Sequence, residues 1–413
     1  MLVLQIDHHL GNTAITLPIL QEIAGHFTHG IDLLVDARYA ALGRQVDNVN
    51  RLEFYPAQRT VDGRSRSPSG QIIALHLRLL ARRYHAVIDL GGSTRSSMMT
   101  LISASPRRFG FDDVRRPWCY SHVVVPPKTT RDGPHAFDRY ALMLRVLGRD
   151  PQTQPPSLLP PQLDGQPNDD QLRTRLDHLW PDPAPGSGAD SPPSIEVDCN
   201  ADTEASSDGE SDGEPNGDTG SLPAAAPLTD ARPRVLIHPS AGIAWRCWPP
   251  ERFAAVADAL IQEKDARVLV LGTAAEQPLA DQLIAASRHP RRIRFHAGPL
   301  DQLLTLIRAA DLIVSNESGP THLATLAGLP AVTIFGPTSE AIWSPLTAHP
   351  DRLRVLRGTH CDPGCHGRTC VADRQCLLQL PADRVAQAAL EMLAHTHRPA
   401  VDPGIGASLG ADS

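Results

Sequence analysis

Two hydrophobic rhythms alternate along this chain. Unbroken apolar runs at Leu2 to Ile6, Ile31 to Val35 and Ala86 to Leu90 predict buried strands, and apolar positions recur at helical spacing from Thr13 to Phe27, Ile72 to Arg83 and Thr94 to Ala104. The pattern resumes later, with strands predicted at Arg234 to His238, Arg267 to Gly272, Leu312 to Val314 and Ala331 to Phe335. Helices are predicted between them at Pro250 to Glu263, Glu276 to Ala286 and Leu300 to Ala310. Strands alternating with helices imply parallel sheets wrapped by helices. The reading is therefore two doubly wound α/β domains, residues 1–150 and 234–396. An amphipathic helix from Pro381 to His395 should pack back on a domain, and residues 397–413, rich in Gly and Pro, should fray.

Between the domains the rhythm stops. No lysine or arginine occurs between Arg175 and Arg232, and the stretch Asp198 to Pro215 carries acid after acid with almost nothing apolar. Such a segment cannot bury a core, so residues 151–233 are expected to form a disordered acidic linker or insert that lets the domains hinge; recruitment of a basic partner is the alternative. The formal charge of −7 comes largely from this segment. No basic face for nucleic acid or membrane is indicated, and nucleic acid is not expected as a partner. The opening residues lack a cationic lead and a sustained apolar core, and no later run is long enough to span a bilayer, so a cytoplasmic protein is expected. Lys128 and Lys264 are the only lysines, which reads as compositional bias and weakens any inference from an arginine standing where lysine is usual.

The most informative stretch is Val314 to Pro337. It reads as strand, phosphate loop, helix and strand: an apolar run delivers a Ser318-Gly319-Pro320 turn, a helix runs from Thr321, and Gly328-Leu329-Pro330 stops it before Ala331 to Phe335. First-turn amides and the helix dipole at such a start favour an anion, and Glu317 and His322 flank it with groups able to hold a ribose, a base or a phosphate. Two domains of this kind place a cleft between the carboxyl ends of two parallel sheets, where ligands of open α/β sheets usually bind.

Three strings together resemble glycosyltransferase family 9, the ADP-heptose:lipopolysaccharide heptosyltransferases. They are Ser315 to Ala324, His238 to Phe253 and Leu10 to Pro18; Tyr84 to Asp89 with Arg95-Ser96, and His135 to Gly148, agree with them. The resemblance covers nearly the whole chain outside the acidic insert. It implies a GT-B fold, two Rossmann-like domains facing a central cleft, with acceptor on the first and sugar nucleotide on the second. The implied reaction is an inverting, metal-independent transfer of a heptose from an ADP-sugar to a lipopolysaccharide core or other glycan acceptor. Peripheral contact with the inner face of the cytoplasmic membrane is also implied.

Carried onto this chain, the resemblance places Arg246 against the donor phosphates where the family usually has lysine. Glu276 lies near the nucleoside, Glu317 where an aspartate is usual, and Ser318, Gly319 and His322 in the loop around the donor. Gly11-Asn12 falls where the family carries Gly-Asp, whose aspartate deprotonates the acceptor hydroxyl; a carboxamide cannot take a proton at neutral pH. Asp7 and His8, with His9, lie just before this position, and one of them is expected to serve as base in place of Asn12. The competing reading from Asn12 is a non-catalytic protein that binds nucleotide sugars, or a scaffold. A nucleotide-sugar epimerase on the same architecture fits the first domain's match to an acceptor domain less well.

Cys361, Cys365, Cys370 and Cys376, with His360 and His366, crowd one short segment. Four thiols this close suit a tetrahedral structural zinc or two disulfides, although the spacing is not the paired C-x2-C of zinc ribbons; reduced inert thiols are the plain alternative. No cofactor is expected for catalysis.

Overall fold

The computed structural model describes residues 1–7, 9–56, 59–61, 64–66, 69–127, 133–149, 179–180, 232–358, 370 and 373–395. Fourteen strands are described: β1 Leu2–Gln5, β2 Ile31–Asp36, β3 Val49–Tyr55, β4 Arg59–Val61, β5 Arg64–Arg66, β6 Ala86–Asp89, β7 Arg107–Phe111, β8 His122–Val124, β9 Arg234–His238, β10 Arg267–Gly272, β11 Ile293–Ala297, β12 Leu312–Asn316, β13 Ala331–Phe335 and β14 Leu353–Arg357. They build two six-stranded sheets, β3-β2-β1-β6-β7-β8 and β11-β10-β9-β12-β13-β14, whose neighbouring strands are parallel throughout; β4 and β5 form a separate antiparallel hairpin.

Both sheets reverse direction of travel at one place, between β1 and β6 in the first and between β9 and β12 in the second. Loops leaving adjacent strands diverge there to opposite faces, which opens a crevice at the carboxyl ends. These four strands are apolar because helices cover both faces: Leu2, Leu4, Val87, Ile88, Leu236, Ile237, Ile313 and Val314 have no exposed surface.

The first helix is Leu10–His26, beginning three residues earlier than the periodicity predicts. It is buried on almost every side, from Thr13 through Leu20 and again at Ile23 and Ala24, because one side lies on the first sheet and another meets the Gly319–Leu326 helix of the second. One continuous apolar core therefore contains Val3, Ile15 and Leu20 from the first unit together with Leu306, Leu323 and Ala324 from the second. A further tie crosses between the units: His135 caps the Ala136–Ala141 helix by accepting the Phe137 N–H on Nδ1 (3.0 Å), leaving Nε2–H to donate to the Ser344 carbonyl at 2.7 Å.

Most of the stretch 151–233, read as a linker, lies outside the described residues, as do 397–413. Within that stretch Trp180 is packed into the core, with the Arg234 guanidinium 5.4 Å from its ring centroid. The closing helix runs Ala382–His395 and buries Val385, Ala389 and Met392 against the Pro250–Lys264 helix.

Candidate functional site

The second crevice is built from the loops that leave β9, β10, β12 and β13. Asn316, the last residue of β12, is fully buried and ties two of them together: its Oδ1 accepts the Trp248 N–H at 3.1 Å, and its Nδ2 donates to the Pro239 carbonyl at 2.6 Å. Trp248 is itself fully buried, edge-on to Phe253, with its indole N–H donating to the Leu380 carbonyl at 3.2 Å. The loop carrying Arg246 is thus anchored at its far end by an aromatic plug and at its near end by an amide.

The Gly319–Leu326 helix starts just past Asn316, after Glu317 and Ser318. The Ser318 hydroxyl lies 3.0 Å from that of Thr321, which also donates to the Asn316 carbonyl at 3.1 Å, so the Ser318 side chain caps none of the first-turn amides. Those amides and the dipole behind them suit an anion. Pro320 supplies the first turn without an N–H, and Gly328, at φ +76°, ends the helix in a backbone conformation that costs a glycine nothing.

Glu317 faces this helix start. Its N–H donates to the Ile334 carbonyl at 3.0 Å, and its carboxylate accepts from the Thr338 hydroxyl. Burial pushes its pKa above the ordinary carboxylate range, opposed by Thr338 and by the nearby Arg246 and Arg357. Arg357 donates to the Thr338 carbonyl and pairs with Glu340 at 3.1 Å, which fixes the Thr338 loop. Glu276 lies across the β9–β10 side. Its Oε2 accepts the Thr273 N–H (2.7 Å) and hydroxyl (3.0 Å), closing a capping box. Burial raises its pKa, but hydrogen bonds from Ser240 and Thr273 and the nearby His238 outweigh that and hold it low.

On the first unit, Asp7 follows β1 and precedes the first helix. Its two carboxylate oxygens accept the His9 N–H (2.8 Å) and the Asn12 side-chain amide (3.0 Å). Asn12 stands in the first turn of the helix, where it orients Asp7 while leaving that carboxylate spare lone pairs. His8 lies outside the described residues.

The two units meet where these pieces meet. A Cβ placed on Gly319 would lie 2.7 Å from Leu10 Cβ, and one placed on Gly11 would lie 3.2 Å from His322 Cδ2. Glycines at both helix starts allow that approach. His322 is buried, its Nδ1 has no hydrogen-bond partner, and burial, with His135 nearby, lowers its pKa to about 3, so the imidazole is neutral at physiological pH.

The predicted residues thus fall into three groups. Asp7 and Asn12 share one carboxylate site; Gly319 and His322 abut it from the other unit; Arg246, Glu317 and Ser318 line the second crevice, with Glu276 along its β10 side. Sequence reasoning missed Asn316, Thr338 and Arg357. Asn316 lay inside the Ser-Asn-Glu-Ser run, and Thr338 directly after Gly336-Pro337, but no local pattern distinguishes a tie from a ligand.

Cys361 and Cys365 lie outside the described residues. Cys370 accepts the Arg374 N–H at 3.1 Å and Cys376 is buried in the second core. Among the described residues no group of three or more His, Cys, Asp or Glu is placed to hold a metal ion. No described helix is long and apolar enough to cross a membrane.

Comparison with known proteins bears on this geometry. Residues 201–372 match the model of glycosyltransferase family 9 (heptosyltransferase). Lipopolysaccharide heptosyltransferase 2 of Escherichia coli is 33% identical over 139 residues, 32% of this chain and 39% of that one. The chain spans between a third and a half of the length of the curated relatives it matches. Two solved structures superpose over nearly the whole chain. E. coli ADP-heptose lipopolysaccharide heptosyltransferase II does so with a TM-score of 0.65 and 21% identity, covering 96% of this chain and 99% of that one. The glycosyl transferase family 9 protein of Veillonella parvula gives 0.69 and 17%, covering 95% and 97%. The fold is GT-B, and the match to the model of glycosyltransferase family 9 extends over residues 201–372.

Proposed function

We propose that this protein transfers a heptose, or a related sugar, from an ADP-sugar to a lipopolysaccharide core or another glycan acceptor, with inversion and without a catalytic metal. One observation carries the reading: the Asp7 carboxylate, oriented by Asn12, stands at a helix start that abuts the helix start of the donor loop. An acceptor hydroxyl held by the first unit would pass its proton to an Asp7 oxygen as it attacks the anomeric carbon. The bond from that carbon to the diphosphate breaks in the same displacement, so the configuration inverts and ADP leaves.

Arg246 and the first-turn amides of the Gly319–Leu326 helix would meet the charge that develops on the diphosphate. The Thr338 loop and the Asn316 tie would keep these groups in position without reorganisation during the step. Glu276 would accept from ribose hydroxyls with the carboxylate lone pairs that Thr273 leaves unused. The names of the relatives, heptosyltransferases that include one described by ADP-heptose, support the sugar and the nucleotide.

The test is acceptor-dependent ADP release from ADP-heptose with a heptose-deficient lipopolysaccharide core, with GDP- and UDP-sugars and an acceptor-free control run beside it. Release that requires acceptor and ADP-heptose is expected. Tight ADP-heptose binding with no release in any mixture would instead favour a nucleotide-sugar-binding protein, for which Asn12 is the motivating residue.

A further inference from the structure

His135, at the start of the Ala136–Ala141 helix, bonds to main chain of both units. Its Nδ1 accepts the Phe137 N–H at 3.0 Å and caps its own helix, so the ring proton sits on Nε2, which donates to the Ser344 carbonyl of the second unit at 2.7 Å. A neutral imidazole serves both partners at once. A cap alone needs only an acceptor, which Ser, Thr, Asn or Asp supplies as well or better. What histidine adds is a second nitrogen, aimed across the junction.

Both ends of this bridge lead toward the site. Ser344 ends the short Glu340–Trp343 helix, whose Ile342 is buried in the core that the two units share. Glu340 pairs with Arg357, Arg357 donates to the Thr338 carbonyl, and the Thr338 hydroxyl donates to the Glu317 carboxylate. On the first unit, the capped helix packs on the Leu10–His26 helix and carries Tyr140, which is buried and close enough to Asp7 to feel its charge. His322 of the second unit lies near the same imidazole. The approach of Leu10 to Gly319 is an apolar contact without direction, about which the units can still turn. A hydrogen bond made elsewhere on the junction is directional and removes that freedom.

We propose that His135 is a positioning residue of the transfer reaction: its bond to Ser344 holds the first unit, and with it Asp7, in register with the Glu317–His322 stretch of the second. The inference rests on the transfer proposed above for what is positioned, while the tie can be read without it.

Two substitutions separate the cap from the tie. His135→Asn puts an oxygen where Nδ1 stands and keeps the cap, but ends short of Ser344. His135→Gln carries an amide nitrogen out to where Nε2 stands and keeps the donor, but gives up the cap. Stability should follow the cap, so the Gln variant is expected to have the lower thermal midpoint. Transfer should follow the tie. In acceptor-dependent ADP release, kcat of the Asn variant should fall about tenfold, the size of one hydrogen bond, at unchanged ADP affinity, and the Gln variant should retain more activity despite its lower midpoint. Hydrogen exchange reads the tie without the reaction: first-turn amides of the Gly319–Leu326 helix should exchange about tenfold faster in the Asn variant and close to the wild-type rate in the Gln variant. That exchange pattern in a chain releasing no ADP would sink the proposed transfer and leave the tie standing. Equal exchange in wild type and the Asn variant, or kcat that ranks with the thermal midpoint, overturns the positioning role.

Discussion

Replacing Asn316 with alanine should cost more than any other single truncation in the second crevice. The wild-type amide satisfies one buried donor, the Trp248 N–H, and one buried acceptor, the Pro239 carbonyl, in a site with no exposed surface. Alanine leaves both unpaired. At about 1–3 kcal/mol for each stranded group, the expected loss is about 2–6 kcal/mol, with the upper end reduced if a water enters the gap. Urea denaturation reads this directly. Affinity should fall with stability, because the two loops that Asn316 joins carry Arg246 on one side and Glu317, Ser318 and Gly319 on the other. ADP titration of the folded variant should show at least a tenfold weaker Kd. Asn316→Asp keeps the Trp248 acceptor but sets a carboxylate oxygen against the Pro239 carbonyl, so it should be no better than alanine. A loss below about 0.5 kcal/mol, the range of an indifferent surface change, together with unchanged ADP affinity would refute the assignment of Asn316 as the tie.

Three other outcomes follow from the geometry. Asn12→Asp sets a second carboxyl against Asp7, where the side chains now lie 3.0 Å apart; two such groups share a proton, so the acid limb of the transfer pH profile should move upward, read by initial rates from pH 5 to 9. Gly319→Ala drives a methyl into Leu10 and should cost about 1–3 kcal/mol by denaturation, with a larger proportional loss of transfer than of ADP binding, because it is the junction between units that is forced apart. Asp89 is buried, and burial raises its pKa to about 6 despite hydrogen bonds from Tyr120 and Gly92. The native state therefore holds a proton that the unfolded chain has already lost, so this group's contribution to stability falls as pH rises from about 4 to about 6. Stability of wild type relative to Asp89→Asn should drop by about 2 kcal/mol between pH 4 and pH 7, and equal pH slopes would contradict it.

The strands that sequence reasoning found are β1, β2, β6, β9, β10, β12 and β13, each a largely buried run whose apolar continuity follows from burial on both faces. It missed β3, β8, β11 and β14, the four sheet edges. Sequences such as Val49-Asn-Arg-Leu-Glu-Phe-Tyr55 and Leu353-Arg-Val-Leu-Arg357 carry charges because one side or one edge meets solvent, and charge masks a strand's period. It also missed β7, which opens on Arg107 and Arg108. The position of Glu317, Ser318 and His322 around a helix start at the end of β12 was legible, because a polar run between two apolar strands reads as a loop. The contact of Leu10 with Gly319 was not, since residues three hundred positions apart leave no local signal. Nor was the role of Asn12: a carboxamide in the base's expected place reads as a loss until the structure places it on Asp7.

The Ser69–Ala81 helix leaves Ile73, Leu77 and Leu80 exposed, which was hidden for a related reason. Periodicity predicted the helix, but with apolar residues on both sides it cannot say which side meets the sheet; only the burial of Leu75 and Leu79 decides that.

The central claim is that Asp7, held by Asn12, is the base that activates the acceptor. The most direct measurement compares acceptor-dependent ADP release by the wild-type chain and by Asp7→Asn, with ADP affinity measured on both. The account predicts robust release by wild type and a loss of at least about a hundredfold in kcat for the variant, at unchanged ADP affinity. Undiminished transfer by Asp7→Asn would contradict it and move the base elsewhere in the cleft.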